Sequence, residues 1–384
     1  MTEAHNGRIF DQPSPYELWK QAEGLPTIRA MSVDLNNVEL VPWTSRGGLG
    51  TFINLDGTEG FNDTYVCEIP PGRSLNPIKH IYDEVVYVLK GQGATTVWID
   101  EDHKRTFEWH ANSYFAIPTN AWYQHHNLSG DEPARYVAMT AAPRVINTHK
   151  DLDFVFNNPY VFAKRFDGED DYFKETVRPH NSRGWATNFV ADVLASAEWA
   201  ESSGGSEGRG PGARSIAYRM VNGSFAVGHA DSWPSGCYKQ AHRHGPGIHV
   251  LLLRGTGYTL LWKEGRPIQR VDWRPGVMLV PGEMWWHQHF NTGSEACLFL
   301  AIGQGSEKPK NSGYYAYTSI KAGGDQIAFD EEDPRIHELF EEELARTGVR
   351  CRMDVAHGIT RTDVGKPYWG IFDPSLWQRS AVTV

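Results

Sequence analysis

The chain has 384 residues, 40% of them hydrophobic, a formal charge of −10 and fourteen tryptophans. That length allows two domains with cores of their own. An acidic chain without a basic run cannot neutralise a row of phosphates, so nucleic acid is excluded as the expected partner. No apolar run approaches membrane-spanning length, the N-terminus has no apolar signal core, and Cys67, Cys237, Cys297 and Cys351 form no CxxC pair. These features predict no membrane partner and a soluble cytoplasmic protein with reduced thiols.

In chain order, residues 1–37 read as an N-terminal helical arm. Its helix spans 14–23, with Ser14 as cap, Pro15 in the first turn and Gly24 as stop. Residues 38–142 turn to short runs rich in Val, Tyr, Ile and Thr, such as TYVCEI, EVVYVLK and ATTVWI, separated by Gly, Pro, Asn and Asp. Many short strands at this spacing predict an all-β sandwich or barrel. Residues 143–214 break the texture as a connecting segment, with a possible helix at 187–200 and a Gly/Ser-rich stretch at 202–214 that reads as a mobile loop. Strand texture resumes over 215–305. A C-terminal extension, 306–384, carries a helix at 334–347 and an aromatic coda ending in GIFDPSLW.

The two β segments repeat one another. Placing His80 over His244 puts Gly91 over Gly255, Gly93 over Gly257 and Trp98 over Trp262 without a gap. With one extra residue allowed, Ile117-Pro118 falls on Val280-Pro281, Trp122 on Trp285 and Gln124 opposite His287. The richer copy runs from Gly236 to Asn291 and holds His242, His244 and the run WWHQHFN. Histidines two apart on a strand share a face. A third arriving on another strand, His287, would complete three imidazole donors around one divalent metal with positions left open.

This pattern resembles the cupin superfamily in its two-domain bicupin form. The motif glycine, HxH pair and glycine turn are met by Gly236, His242, His244 and Gly255, and the second motif by His287 and Asn291. The resemblance implies two tandem cupin (double-stranded β-helix, or jelly-roll) barrels with a few short helices, and often a homo-oligomer. Within the superfamily, HRH followed by WWHQHFN looks most like the gentisate and hydroxynaphthoate dioxygenases, which hold Fe(II) on three histidines. By that resemblance His242, His244 and His287 are the iron ligands, with Mn, Ni or Zn as other metals that histidines accept. Those relatives place a substrate-gripping arginine where this chain has Val250, and their better-kept site lies in the N-terminal barrel.

His249 has two readings. Literal spacing makes it a fourth metal ligand. Counting back from the glycine turn puts Ile248 in the slot of Glu84 and turns His249 away, unless a bulge at GPGI shifts the register. Alternation back from His242 places Gln240 and Tyr238 inward, and alternation around His287 does the same for Trp285 and His289. Gln240, Tyr238 and His289 could then donate hydrogen bonds to reacting oxygens, and Trp285 could wall a planar substrate, or pack the core. Arg243, between two inward histidines, should point out into an ion pair. The N-terminal copy keeps His80 and Glu84 but has Ile78 at the first histidine position, so this barrel is expected to be structural and without catalytic metal.

The leading expectation is a non-haem Fe(II) dioxygenase that cleaves a C–C bond of a chelating aromatic or enolic small molecule with O2. Three neutral imidazoles leave the metal's full charge and enough open positions for a bidentate substrate and O2. The alternative is a non-oxidative isomerase, lyase or decarboxylase acting on a hydroxy or keto acid. A non-catalytic storage or ligand-sensing bicupin is the third reading.

Overall fold

A computed structural model describes residues 12–58, 60–174, 178–181, 184–198, 210–220, 227–263, 266–303, 319–353 and 378–380. Most of the Gly/Ser-rich stretch and the aromatic coda lie outside them. The all-β expectation of two tandem barrels holds, and each barrel is a large sheet facing a small one. In the N-terminal half, Asp63–Ile69, Ala134–Thr140, Glu84–Lys90 and Tyr114–Ile117 form the centre of an eight-stranded sheet. Trp122–Asn127, Gln92–Trp98 and Lys104–His110 make the facing three-stranded one. In the C-terminal half, Val227–Trp233, Cys297–Gly303, His249–Arg254 and Val277–Leu279 lie in a second eight-stranded sheet. It faces Trp286–Asn291, Gly257–Trp262 and Gln269–Trp273.

The halves exchange strands. Ser32–Asp34, from the expected helical arm, pairs antiparallel with Val277–Leu279 of the C-terminal sheet. Phe189–Val190 from the connecting segment pairs with Tyr114–Ile117 of the N-terminal sheet. That strand occupies most of the first part of the expected 187–200 helix, leaving a short helix at Val193–Ala197 capped by Asp192. The other two expected helices form at Pro15–Glu23 and Pro334–Thr347, ended by left-handed Gly24 and Gly348.

Period-two alternation sorts the strand His249–Arg254 between two cores. Val250 and Leu252 face into the C-terminal barrel with Leu279, Phe299 and Ala301. Leu251 faces outward with Met278, Leu298, Leu300 and Ile302, joining one apolar cluster that runs through the N-terminal barrel. Burying five such side chains stabilises the contact by on the order of 10 kcal/mol. The halves are therefore packed as one body. A polar stitch adds to this where Asn62 Nδ2 donates to the Gly247 carbonyl at 2.8 Å.

Strand register corrects the repeat. A constant offset of 164 relates Trp122, paired with Trp98, to Trp286, paired with Trp262. The same offset relates left-handed Asn120 to left-handed Met284, and Asn127 to Asn291, whose side-chain amides each cap a main-chain carbonyl. No residue is inserted; matching Pro118 to Pro281 forced a false gap. The equivalent of His287 is thus Tyr123, not Gln124, and the equivalent of Trp122 is Trp286, not Trp285.

Candidate metal centre

Three histidines meet inside the C-terminal barrel, only one of them, His287, on a strand. His242 and His244 precede the strand His249–Arg254, and His287 lies on Trp286–Asn291, bridged to His242 by main-chain hydrogen bonds in both directions. One ring nitrogen from each lies within 4.8 Å of the others. The Nδ1–H of each donates to a main-chain carbonyl: Gln240 at 3.2 Å, Gly245 at 2.8 Å and Trp285 at 3.1 Å. Those bonds fix the tautomer, leaving Nε2 as the lone-pair atom on all three rings. Burial, and after it the Lys239 charge, pushes the His242 imidazole well below its usual pKa; burial and the neighbouring His244 do the same for His287. Neutral imidazoles are what a metal requires. The donor set fits one divalent ion held on three nitrogens.

Tyr238 is not in this site. Tyr238 lies opposite Phe290 and His242 opposite His287, so the first strand carries one residue more than its partner between those points. This bulge reverses the alternation. It turns the Tyr238 ring outward onto Phe290, Phe329 and Phe340, with its hydroxyl donating to Glu332 at 2.6 Å. The same bulge sends the Gln240 side chain to Gln326 of the C-terminal extension; only its carbonyl serves the site, by holding His242.

The residue the bulge brings inward is Lys239. It is buried, its Nζ 3.2 Å from His242 Nε2 and 3.8 Å from Asp231 Oδ2, and His229 Nε2 lies 3.6 Å from that same oxygen. Sequence reasoning missed Lys239, Asp231 and His229. Asp231 and His229 carried a signal, since both alternate with outward-facing Ala230 on one strand; Lys239 carried none without the bulge.

His289 is inside, as expected. The Trp273 indole N–H donates to Thr259 Oγ1 at 3.1 Å, and the Thr259 hydroxyl, 2.8 Å from His289 Nδ1, then donates to that nitrogen. With Nδ1 engaged by Thr259, Nε2 is the His289 nitrogen left toward the barrel interior. Trp285 sits half-buried at the end of the barrel, against its core cluster. Arg243 points outward to Asp325 at 2.8 Å and stacks on Trp286, as alternation requires.

His249 is not brought to the triad. It pairs across from Ile302, on the face of its strand that Leu251 occupies, so it faces the packing between the barrels. It is fully buried, and among the described residues neither ring nitrogen makes a hydrogen bond of normal geometry, the Gly247 main chain being its one polar contact. The reading of it as a fourth ligand gives way to the count back from Gly255. Ile248, in the slot of Glu84, packs against Gly303 and supplies no carboxylate.

In the N-terminal barrel, Glu84 takes the centre instead. It lies 3.2 Å from His80 Nε2 and accepts from Tyr65 at 3.1 Å and Tyr123 at 3.2 Å. Gln124 turns away to the Leu75 carbonyl, and His126 lies half-exposed between Ser74 and Thr96. Of Gln124, His125 and His126, His125 is the one that enters the interior.

Residues 65–140 match the family model described as Cupin domain; that span is the N-terminal barrel, not the one with the histidine triad. No curated protein matches the chain. Among solved structures, Bacillus subtilis oxalate decarboxylase is similar over 73% of this chain and 79% of its own, at 12% identity and a TM-score of 0.48. Lactobacillus farciminis oxalate decarboxylase, in a formate complex, is similar over 71% and 86% at 10% identity and a TM-score of 0.46. Likeness at this level says nothing about the reaction. Among the described residues, no helix is long and apolar enough to cross a membrane.

Proposed function

We propose that the C-terminal barrel is a metal-dependent enzyme centre for a small hydroxy or keto acid, performing non-oxidative chemistry of the isomerase, lyase or decarboxylase kind. The observation that carries this is Lys239, a buried lysine whose Nζ lies beside the metal-facing edge of His242 and within 3.8 Å of Asp231 inside the barrel. A cation there favours an anionic substrate over a neutral catechol. It supplies what the apolar Val250 does not. The ion on His242, His244 and His287, with Mn, Fe, Ni and Zn all compatible with nitrogen donors, supplies a Lewis acid.

The chain's own groups do the rest. Lys239 pairs with the substrate carboxylate, and His289 Nε2–H donates to a second substrate oxygen. Asp231 orients Lys239 and His229. Phe299, Trp233 and Val250 keep this interior dry, which strengthens each of these charges.

A second reading, the Fe(II) dioxygenase, is favoured by one observation. Among the described residues no carboxylate joins the three imidazoles, Ile248 holding that slot. Turnover of a panel of hydroxy and keto acids, with metal restored, separates the two. The first reading expects full rate without O2, and a KM for acids raised at least tenfold in Lys239→Met with little change for their neutral amides. One O2 consumed per product, with no anaerobic turnover, would establish the second reading and overturn the first.

A further inference from the structure

The N-terminal barrel lacks the histidine triad, yet its interior holds polar groups that no described residue satisfies with normal geometry. Arg46, on the turn after strand Val41–Trp43, inserts its guanidinium into this barrel and is 3% exposed. Nη1 donates to the Asn76 carbonyl at 3.1 Å and the guanidinium stacks 5.2 Å from the centre of the Tyr123 ring, but Nη2 has no partner. The nearby Glu84 is engaged by His80, Tyr65 and Tyr123. Two more groups in the same interior make no hydrogen bond of normal geometry among the described residues: the Tyr136 hydroxyl, which lies beside the Cys67 thiol, and His125 Nε2, on rings 5.0 Å apart and both buried.

All three are donors. For His125 the proton is placed by its neighbours: the Trp109 indole N–H donates to Thr95 Oγ1 at 2.8 Å, and the Thr95 hydroxyl, 2.7 Å from His125 Nδ1, donates there. Nε2 then carries the hydrogen. Burial, and after it the Arg46 charge, keeps the ring neutral. Buried polar groups in folded proteins are almost always satisfied. One guanidinium N–H, one phenol O–H and one imidazole N–H without acceptors make an interior built for an anion.

Arg46 also lines a cavity of about 260 Å³ with Trp43, Tyr65, Tyr82, Trp122 and Tyr123, the charged Glu23 and Lys79 standing on its wall as well. Tyr136 and His125 are not in that lining, so Arg46 is the link between the cavity and the interior groups. Its walls are aromatic and suit a flat apolar body. We propose that the N-terminal barrel binds a small planar carboxylate, its carboxyl group held by Arg46, Tyr136 and His125 and its apolar body in the aromatic cavity. The duplicated fold then carries two sites of different kind, a metal centre in one half and a metal-free acid site in the other.

Benzoate tests this, with benzamide as its neutral match, by calorimetric titration of the full chain. Quenching of the tryptophans around the cavity gives a second readout. Benzoate should bind at least tenfold more tightly than benzamide, Arg46→Met should weaken it at least tenfold, and Tyr136→Phe several-fold. His244→Ala, which removes a metal ligand from the other barrel, should leave its affinity unchanged. Absence of benzoate binding would mean an interior filled by water only and would overturn the proposal. So would equal affinity for benzamide, or loss of binding in His244→Ala, which would put the acid on the metal. If a melting curve shows Arg46→Met unfolded, Tyr136→Phe decides: unchanged affinity overturns the site.

Discussion

His249→Leu tests where His249 sits. Burial pushes the His249 imidazole down to about 3, little offset by the Gly247 main chain beside it. In the unfolded chain an ordinary imidazole titrates near 6.5. Between those values the unfolded state binds the extra proton, so stability is complete above about pH 6.5 and falls as pH drops toward 3. At about 1.4 kcal/mol per pH unit, His249 costs the wild type about 2 kcal/mol at pH 5 and, at the floor of the window, about 5 kcal/mol. Leucine has a similar volume, suits the Leu251 and Ile302 face, and does not titrate. Urea unfolding of metal-loaded protein at pH 7.5 and pH 5 should show the variant gaining about 2 kcal/mol on the wild type between the two conditions. The ligand histidines titrate in both proteins and cancel in that difference. Elemental analysis should find the metal content unchanged. A variant that loses its metal, or whose stability difference is the same at both pH values, refutes the placement of His249 between the barrels.

Three further outcomes follow from the site. His244→Ala should abolish metal binding at the triad, and elemental analysis of anaerobically purified wild type should find one metal per chain; a second metal that is lost in His80→Ala would overturn the metal-free N-terminal barrel. Stripping the metal with a chelator should lower stability by about 4 kcal/mol for an ion present at a thousand times its Kd, read as a lower melting temperature that added metal restores. Tyr238→Phe should leave metal content and kcat alone while costing about 1–2 kcal/mol of stability through the hydrogen bond lost to Glu332, measured by urea unfolding; a large fall in kcat with intact stability would return Tyr238 to the catalytic role that alternation suggested.

The fold and the convergence of the three histidines were legible because they rest on local rules. Alternation within a strand, glycines at positive φ and the spacing of HxH survive in any context, so the barrel texture and His242, His244 and His287 could be read directly. What was misread depended on a partner strand. The bulge that turns Tyr238 out and Lys239 in exists only relative to Trp286–Asn291, and no residue between Gly236 and His242 announces it. The false gap in the repeat came from trusting prolines over periodicity. At constant offset, Trp109, Thr95 and His125 fall on Trp273, Thr259 and His289, the same chain of donors in each barrel. Arg46 lies upstream of every motif and enters its barrel from a turn, a placement no spacing rule describes.

The pairing of Ser32–Asp34 with Val277–Leu279 has a consequence for synthesis. The two partners are separated by most of the chain, which a ribosome working at 5–20 residues per second needs roughly 12 to 50 s to cross. Throughout that interval the N-terminal strand is a bare edge, with its main-chain donors and acceptors unmet and free to pair with a neighbour. At high expression the nearest complementary edge can belong to another nascent copy, and the product of that encounter is a strand-swapped dimer. Slower initiation, which spaces the ribosomes, should shift the yield toward monomeric pairing.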